Sequence, residues 1–212
     1  MIHRCILALI TLNFLTAMAC PAPASTPAPE YAPQNGDVIF QTSQSTQGPA
    51  IQLATESPYS HVGIIYIKNG VPGVFEASAV VRFTPLDKWI TGGDGGWYTV
   101  KRLKNASKVL TPEVSARLRI AGNRFLGRSY DSHFQWSDNK IYCSELVWKV
   151  YHEGMDLELT PLRTMGEYML DDSRVQKLIE KRWGSSFDPD EPVIAPGDLD
   201  MSPMLETVYS NY

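Results

Sequence analysis

The chain of 212 residues, 43% hydrophobic and 20% charged, has the composition of one globular domain with room for a sizeable core. Its formal charge of −4, with no basic block to neutralise phosphates, argues against a nucleic-acid partner. In chain order, Met1–Ala19 comes first. It carries His3 and Arg4, an apolar run from Ile6 to Leu15 and the small-residue end Ala17-Met18-Ala19, the pattern of a secretory signal peptide. Its apolar run is too short for a stable membrane span. Ala17-x-Ala19 suits an ordinary signal peptidase, whereas Ala-Met-Ala-Cys20 is a loose lipoprotein box with Ala where Leu is expected. We read an exported, periplasmic or cell-envelope product, soluble in preference to tethered through an acylated Cys20. Residues 20–33, rich in Pro, Ala, Ser and Thr, read as an extended leader outside core and site, which leaves 34–212 as the folded domain. Loss of residues 1–19 removes Arg4 and no acid, so the charge balance becomes more negative.

Gly36-Asp37 introduces the short apolar strand Val38-Ile39-Phe40, and Gly48-Pro49 opens a helical segment from Ala50 to Thr55 that ends at Ser57-Pro58. The run His61-Val62-Gly63-Ile64-Ile65-Tyr66-Ile67 is a strand, and Asn69-Gly70 is a turn signal before a second strand, Gly73 to Ala77. Val80 to Thr84 and Trp97 to Leu103 supply further strands, separated by a turn over Leu86 to Ile90 and the glycine-rich loop 92–96. These elements predict an antiparallel sheet. Thr111-Pro112-Glu113 then caps a helix whose apolar face is Val114, Leu118, Ala121 and Phe125, ending at Gly127. A polar segment leads to a second helix that starts near Cys143, carries Leu146, Val147 and Val150 on one stripe and stops at Gly154. A later helix spans Val175 to Trp183, and the stretch after Phe187 reads as irregular to Tyr212. Neither an internal repeat nor a second domain is visible.

Of three cysteines, Cys5 leaves with the signal and Cys20 lies at the processing site, so Cys143 has no partner for a structural disulfide within one folded domain. A lone thiol in an oxidising compartment invites a chemical reason, set against the ordinary fate of a buried inert Cys. Its place in the first turn of a helix favours a thiolate, because unpaired N–H groups and the helix dipole stabilise negative charge there. The same N–H groups suit an oxyanion. A thiol nucleophile needs a base, and the candidates are His61, His133 and His152. His152 lies nine residues along the same helix, and His133 sits in a polar loop that fixes no orientation. His61 opens a strand, a rigid platform, although a strand-end histidine with no role fits the same position. Glu76 stands in an otherwise apolar strand paired to that of His61, where a carboxylate can fix an imidazole tautomer or face solvent as a plain strand charge.

Together, Gly36-Asp37-Val38-Ile39-Phe40, Ser60-His61-Val62-Gly63-Ile64, Val74-Phe75-Glu76-Ala77 and Tyr142-Cys143-Ser144-Glu145 resemble the blocks of NlpC-type papain-like peptidases in permuted order, with the cysteine helix last. The match is to the YiiX-like branch and runs from about Gln34 to Tyr151, including Ala50-Ile51-Gln52-Leu53-Ala54-Thr55, Thr84-Pro85-Leu86 and Tyr130-Asp131. The resemblance implies an α+β, circularly permuted papain-like fold, an antiparallel sheet or half-barrel packed against helices that include the nucleophile helix. It implies Cys143 as nucleophile, His61 as general base and acid, and Glu76 as the residue orienting His61. Tyr142 and Tyr59 flank the two main players and are candidates for lining the substrate cleft, with core packing as the alternative. No metal or other cofactor is implied. The expected function is an exported cysteine amidase or peptidase acting through a Cys143 thioester on a cell-wall peptide or an N-acyl compound. The alternatives are a lipid acyltransferase or thioesterase of lecithin:retinol type, and a non-catalytic periplasmic binding domain.

Overall fold

The computed structural model describes residues 31–212, so the expected signal peptide at 1–19 and most of the leader lie outside the described residues. A six-stranded antiparallel sheet is the frame. Its strands are β1 (Val38–Gln41), β2 (His61–Lys68), β3 (Val71–Ala77), β4 (Val81–Pro85), β5 (Thr99–Leu103) and the C-terminal Leu205–Ser210, in the spatial order β4-β3-β2-β1-β5-C-terminal strand. The β2–β3 hairpin turns at Asn69-Gly70, both at positive φ (52° and 78°), the backbone geometry for which an Asn-Gly pair is favoured.

Helices interleave with the strands. α1 (Gly48–Thr55) and α2 (Leu86–Thr91) precede β5, followed by α3 (Ala106–Val109), α4 (Pro112–Asn123) and α5 (Cys143–Met155). Beyond them come β6 (Arg163–Thr164), α6 (Ser173–Arg182), β7 (Pro192–Val193), α7 (Pro196–Asp200) and the C-terminal strand, β8 (Leu205–Ser210). Alternation along each strand sorts the core into two layers. Val38, Phe40, Val62, Ile64 and Phe75 face α5 with Leu146, Val147 and Val150, while Ile39, Ile65, Val74 and Val100 pack on the other face under Trp89 of α2. α4 and α5 approach closely because Gly154 meets Leu118. A Cβ there would lie 2.9 Å from the Leu118 Cα.

Asp37, fully buried, ties the start of the domain together. Its carboxylate accepts Arg102 Nε (2.7 Å) and Nη2 (2.8 Å), the Tyr31 hydroxyl (2.7 Å) and the Gln34 N–H (2.9 Å). Tyr31 also packs on Tyr209, so the domain begins earlier than the expected boundary at 34, and residues 31–33 belong to it and not to the leader. Two further expectations are corrected. Leu86–Thr91 is a helix and not a turn, and the region after Phe187 is not irregular throughout, since it folds into α7 and β8. β8 pairs with β5 across a register shift at Val100/Lys101.

Candidate active site

Cys143 is the first residue of α5, preceded by Tyr142 with extended backbone as N-cap. The helix start is held from behind. Glu145, fully buried, accepts the Tyr142 N–H (3.2 Å) and the Ser137 N–H (3.2 Å) and pairs with Lys149 Nζ (2.8 Å), which also reaches Asp138 (2.7 Å). It is held from the side by Ser144, whose hydroxyl donates to the Ile194 carbonyl (2.7 Å).

β2 begins at His61, and the sheet delivers that ring to the side of the thiol, where the two buried groups interact directly. The imidazole Nε2 lies 2.6 Å from Glu76 Oε2, which leaves Nδ1 for the thiol. Glu76 projects from β3 at 3% exposure and is saturated with donors: Trp89 Nε1 (3.0 Å), Thr84 Oγ1 (2.6 Å) and Arg82 Nε (3.2 Å) besides His61. The Trp89 ring stacks on the imidazole at 5.8 Å between centroids. Gly63 makes the space for this arrangement, since a Cβ there would overlap Val74 and sit 2.9 Å from the Phe75 carbonyl oxygen.

The electrostatics follow from these contacts. Burial pushes the Cys143 thiol up, but the His61 hydrogen bond and charge, with the N–H groups of Val62 and Ser144, outweigh it and hold the thiol below its ordinary value. Burial pulls His61 down, but Cys143 and Glu76 together raise it to about 10. Glu76 is pushed up by burial and brought down to about 2 by His61, Thr84 and Arg82. The contacts therefore bias the pair towards thiolate and imidazolium.

Tyr130 is the residue that sequence reasoning missed as a site member. A parallel bridge between Tyr130 and Ile141 brings its ring beside the first turn of α5, where it borders the same pocket as Cys143. Gln47 Nε2 donates to that hydroxyl (3.3 Å), and Arg182 donates to Gln47 Oε1. Of the two tyrosines singled out from the sequence, Tyr142 lines a pocket beside Cys143 and accepts the Ile194 N–H at its hydroxyl (3.2 Å). Tyr59 points away. Its hydroxyl donates to Thr99 (2.8 Å) and its ring packs on Phe40, so it is a core residue with no part in either cavity, a correction to the expected substrate-lining role. His133 bonds the Arg182 carbonyl oxygen (3.1 Å) and His152 stacks on Trp148, so both rings are engaged elsewhere.

Two cavities meet at the dyad. Beside Cys143 lies an apolar pocket of about 700 Å³ including its open mouth, walled by Ala50 and Ala54 of α1, Val175 and Ile179 of α6, and Phe134 and Ile194. On the His61 side lies a polar cleft of about 910 Å³, bordered by Ser43, Gln44, Gln47, Arg82 and Lys88. Ser60 and Tyr130 border both.

Comparison with known proteins fits this geometry. Residues 32–209 match the family described as permuted papain-like amidase enzymes, YaeF/YiiX. The chain belongs to this amidase family. A relative from Escherichia coli, the uncharacterized protein YiiX, is 41% identical over 184 residues, which cover 87% of this chain and 90% of the relative. A crystal structure from another Escherichia coli strain, described as the metalloprotein YiiX, superposes with a TM-score of 0.83 at 40% identity, covering 86% of this chain and 99% of that one. The family assignment carries the permuted papain-like fold, and membership supports a cysteine hydrolase in general terms.

Proposed function

We propose that the protein is a cysteine amidase that removes an apolar acyl group from an amine through a thioester on Cys143. The observation that carries this reading is the division of the site: the thiol opens on an apolar pocket and the imidazole on a polar cleft. A substrate whose acyl chain lies in the pocket places its carbonyl at Cys143 and its leaving group beside His61. His61 Nδ1 holds the thiol proton. The thiolate attacks the carbonyl carbon, and the oxyanion is met by the N–H groups at the start of α5 and by the Tyr130 hydroxyl. The amine departs with the proton from His61, and His61 then deprotonates a water that hydrolyses the thioester. Glu76 holds the ring throughout and favours its charged form.

The apolar walls favour an N-acyl substrate over a cell-wall peptide. The Met1–Ala19 segment supports an exported, cell-envelope location.

The metalloprotein description of the Escherichia coli relative raises metal binding for this chain. Among the described residues no three His, Cys, Asp or Glu side chains gather as a metal site. Glu76 occupies Nε2, the ring nitrogen opposite the one left for the thiol, so Cys143 and Glu76 cannot share one ion through His61. These residues do not fit a protein-held metal.

The test is incubation of the purified chain with N-decanoyl amines, diacylglycerophospholipids and muropeptides, with mass spectrometry of the protein. Release of decanoate, a decanoyl adduct on Cys143, and loss of both in Cys143→Ala and His61→Ala are the expected results. Cleavage of muropeptides with no acyl capture would overturn the reading, as would fatty-acyl transfer from phospholipid to an amine with no hydrolysis of N-decanoyl amines.

A further inference from the structure

We infer that the polar cleft beside His61 is a leaving-group subsite selective for an anionic leaving group, the carboxylate of an N-acyl amino acid fitting best. This inference rests on the amidase reading above and adds the chemistry of the second half of the substrate.

The ionisable side chains bordering the cleft are His61, Glu76, Arg82, Lys88 and Tyr130. Glu76 is wholly committed: His61, Trp89, Thr84 and Arg82 all donate to it, so it offers no acceptor to a ligand. That leaves Arg82 and Lys88 as the charges facing an incoming group. The Arg82 side chain is half exposed and spends only its Nε on Glu76, which leaves its terminal nitrogens free of partners among the described residues. Lys88, on the exposed face of α2, has no carboxylate partner among the described residues.

A second, independent observation points to a bound group. Gln41 and Ser78 both border this cleft, and Gln41 Oε1 and Ser78 Oγ are buried polar atoms without a hydrogen-bond partner among the described residues. Buried polar atoms are almost always satisfied, and a ligand or ordered water is the usual partner where protein supplies none. Gln41, a residue 4% exposed, is the cross-strand neighbour of His61, and Ser78 follows Glu76 by two residues, so both flank the imidazole. An amino-acid leaving group carries what these positions lack: an amide N–H and carboxylate oxygens close to the scissile bond. Its carboxylate sits within reach of the cationic rim while the acyl chain fills the apolar pocket on the Cys143 side. A phosphate ester head group shares the anionic chemistry but lacks the amide N–H.

Binding can be separated from turnover by using Cys143→Ala protein. Its dissociation constants are measured by calorimetry for N-decanoylglycine, the neutral N-decanoylglycinamide and 1-decanoylglycerol 3-phosphate. We expect N-decanoylglycine to bind roughly five- to tenfold more tightly than the neutral amide at low salt. That ratio should collapse towards one in about 0.5 M salt, since partly exposed charges are screened. Adding Lys88→Glu should bring the ratio to about one or below, while Lys88→Gln falls between. Equal affinity for the glycine and glycinamide compounds, a ratio indifferent to Lys88→Glu, or no binding of either compound would overturn the subsite. Tighter binding of the phosphate than of N-decanoylglycine would overturn the carboxylate assignment. Turnover by the parent chain is scored separately: hydrolysis of both amides at equal rates removes this inference and leaves the amidase standing, whereas no hydrolysis and no Cys143 adduct removes the amidase.

Discussion

Replacing Glu76 by Gln keeps the shape of the side chain and removes its charge, which makes it the sharpest probe of the dyad. The carboxylate lies 2.6 Å from His61 Nε2. A hydrogen bond to a charged group contributes roughly 1.5–3 kcal/mol, and one pKa unit corresponds to about 1.4 kcal/mol. The imidazolium should therefore lose about one to two units, moving from about 10 in the parent to about 8–9. Along the acid limb His61 is charged in parent and variant alike, so the Cys143 thiolate keeps its cationic partner there. The window in which the ion pair exists therefore narrows from the alkaline side. The alkaline limb of kcat/KM against pH moves down by about one to two pH units, while the acid limb does not move up. The alkaline limb is also read directly from the imidazole carbon resonances of His61. Iodoacetamide alkylation of Cys143 across the same pH range reads the acid limb. Profiles that superimpose on those of the parent would refute the role given to Glu76. Linkage gives the accompanying stability signs. The His61 contribution is complete below its unfolded value of 6.5 and lost as pH rises through about 10. The Glu76 contribution is present above 4.5 and lost as pH falls through about 2.

Tyr130→Phe should lower kcat by about 10- to 100-fold with little change in KM, the signature of a donor used in the transition state; an unchanged kcat in steady-state assays would remove Tyr130 from the oxyanion site. Arg182→Met should reproduce a weaker version of the same loss by freeing Gln47, and Tyr130→Phe combined with it should lose little more, because both act on one hydroxyl. Gly63→Ala should cost roughly 1–3 kcal/mol by overpacking against Phe75 and Val74, read as a fall of several degrees in Tm, and should also slow turnover because the Glu76 Cβ lies 3.5 Å from the added methyl. Burial raises Glu145 to about 7, so the folded chain keeps a proton that the unfolded chain releases from its ordinary value of 4.5 upwards. Stability contributed through this group declines between those two pH values. In Glu145→Gln that decline should vanish, and Lys149 keeps Asp138 at 2.7 Å as a partner. Thermal melts of parent and variant at pH 5 and pH 7 with parallel pH slopes would contradict it.

The frame and the dyad were legible in the sequence because their signals are local. Alternation in β1 and β2, the Asn69-Gly70 turn and the proline-capped start of α4 are each written within a few residues. A carboxylate in an apolar strand marked Glu76, and a helix start marked Cys143. What was not legible is set by closure between distant segments. Tyr130 reaches the first turn of α5 only through its bridge to Ile141, and its supports Gln47 and Arg182 come from opposite ends of the domain. Tyr59 adjoins the His61 strand in sequence, yet its hydroxyl is drawn to Thr99 on β5. β8 escaped notice because it is an edge strand with few buried positions, and the register shift beside Lys101 breaks its alternation. α2 is six residues long, less than two helical turns, so no apolar period can develop. The fold also explains why a permuted chain order leaves the placement of His61 and Cys143 intact. His61 is fixed by the sheet and Cys143 by the helix packed on it, and those two placements depend on strand register and core contacts, not on which segment is made first. The pockets differ in this respect. α6 and the segment around Ile194, which wall the acyl side, follow the nucleophile helix in this chain. The walls of the apolar pocket therefore lie in the region where the sequence blocks are weakest, while Cys143, His61 and Glu76 lie in the region where they are strongest.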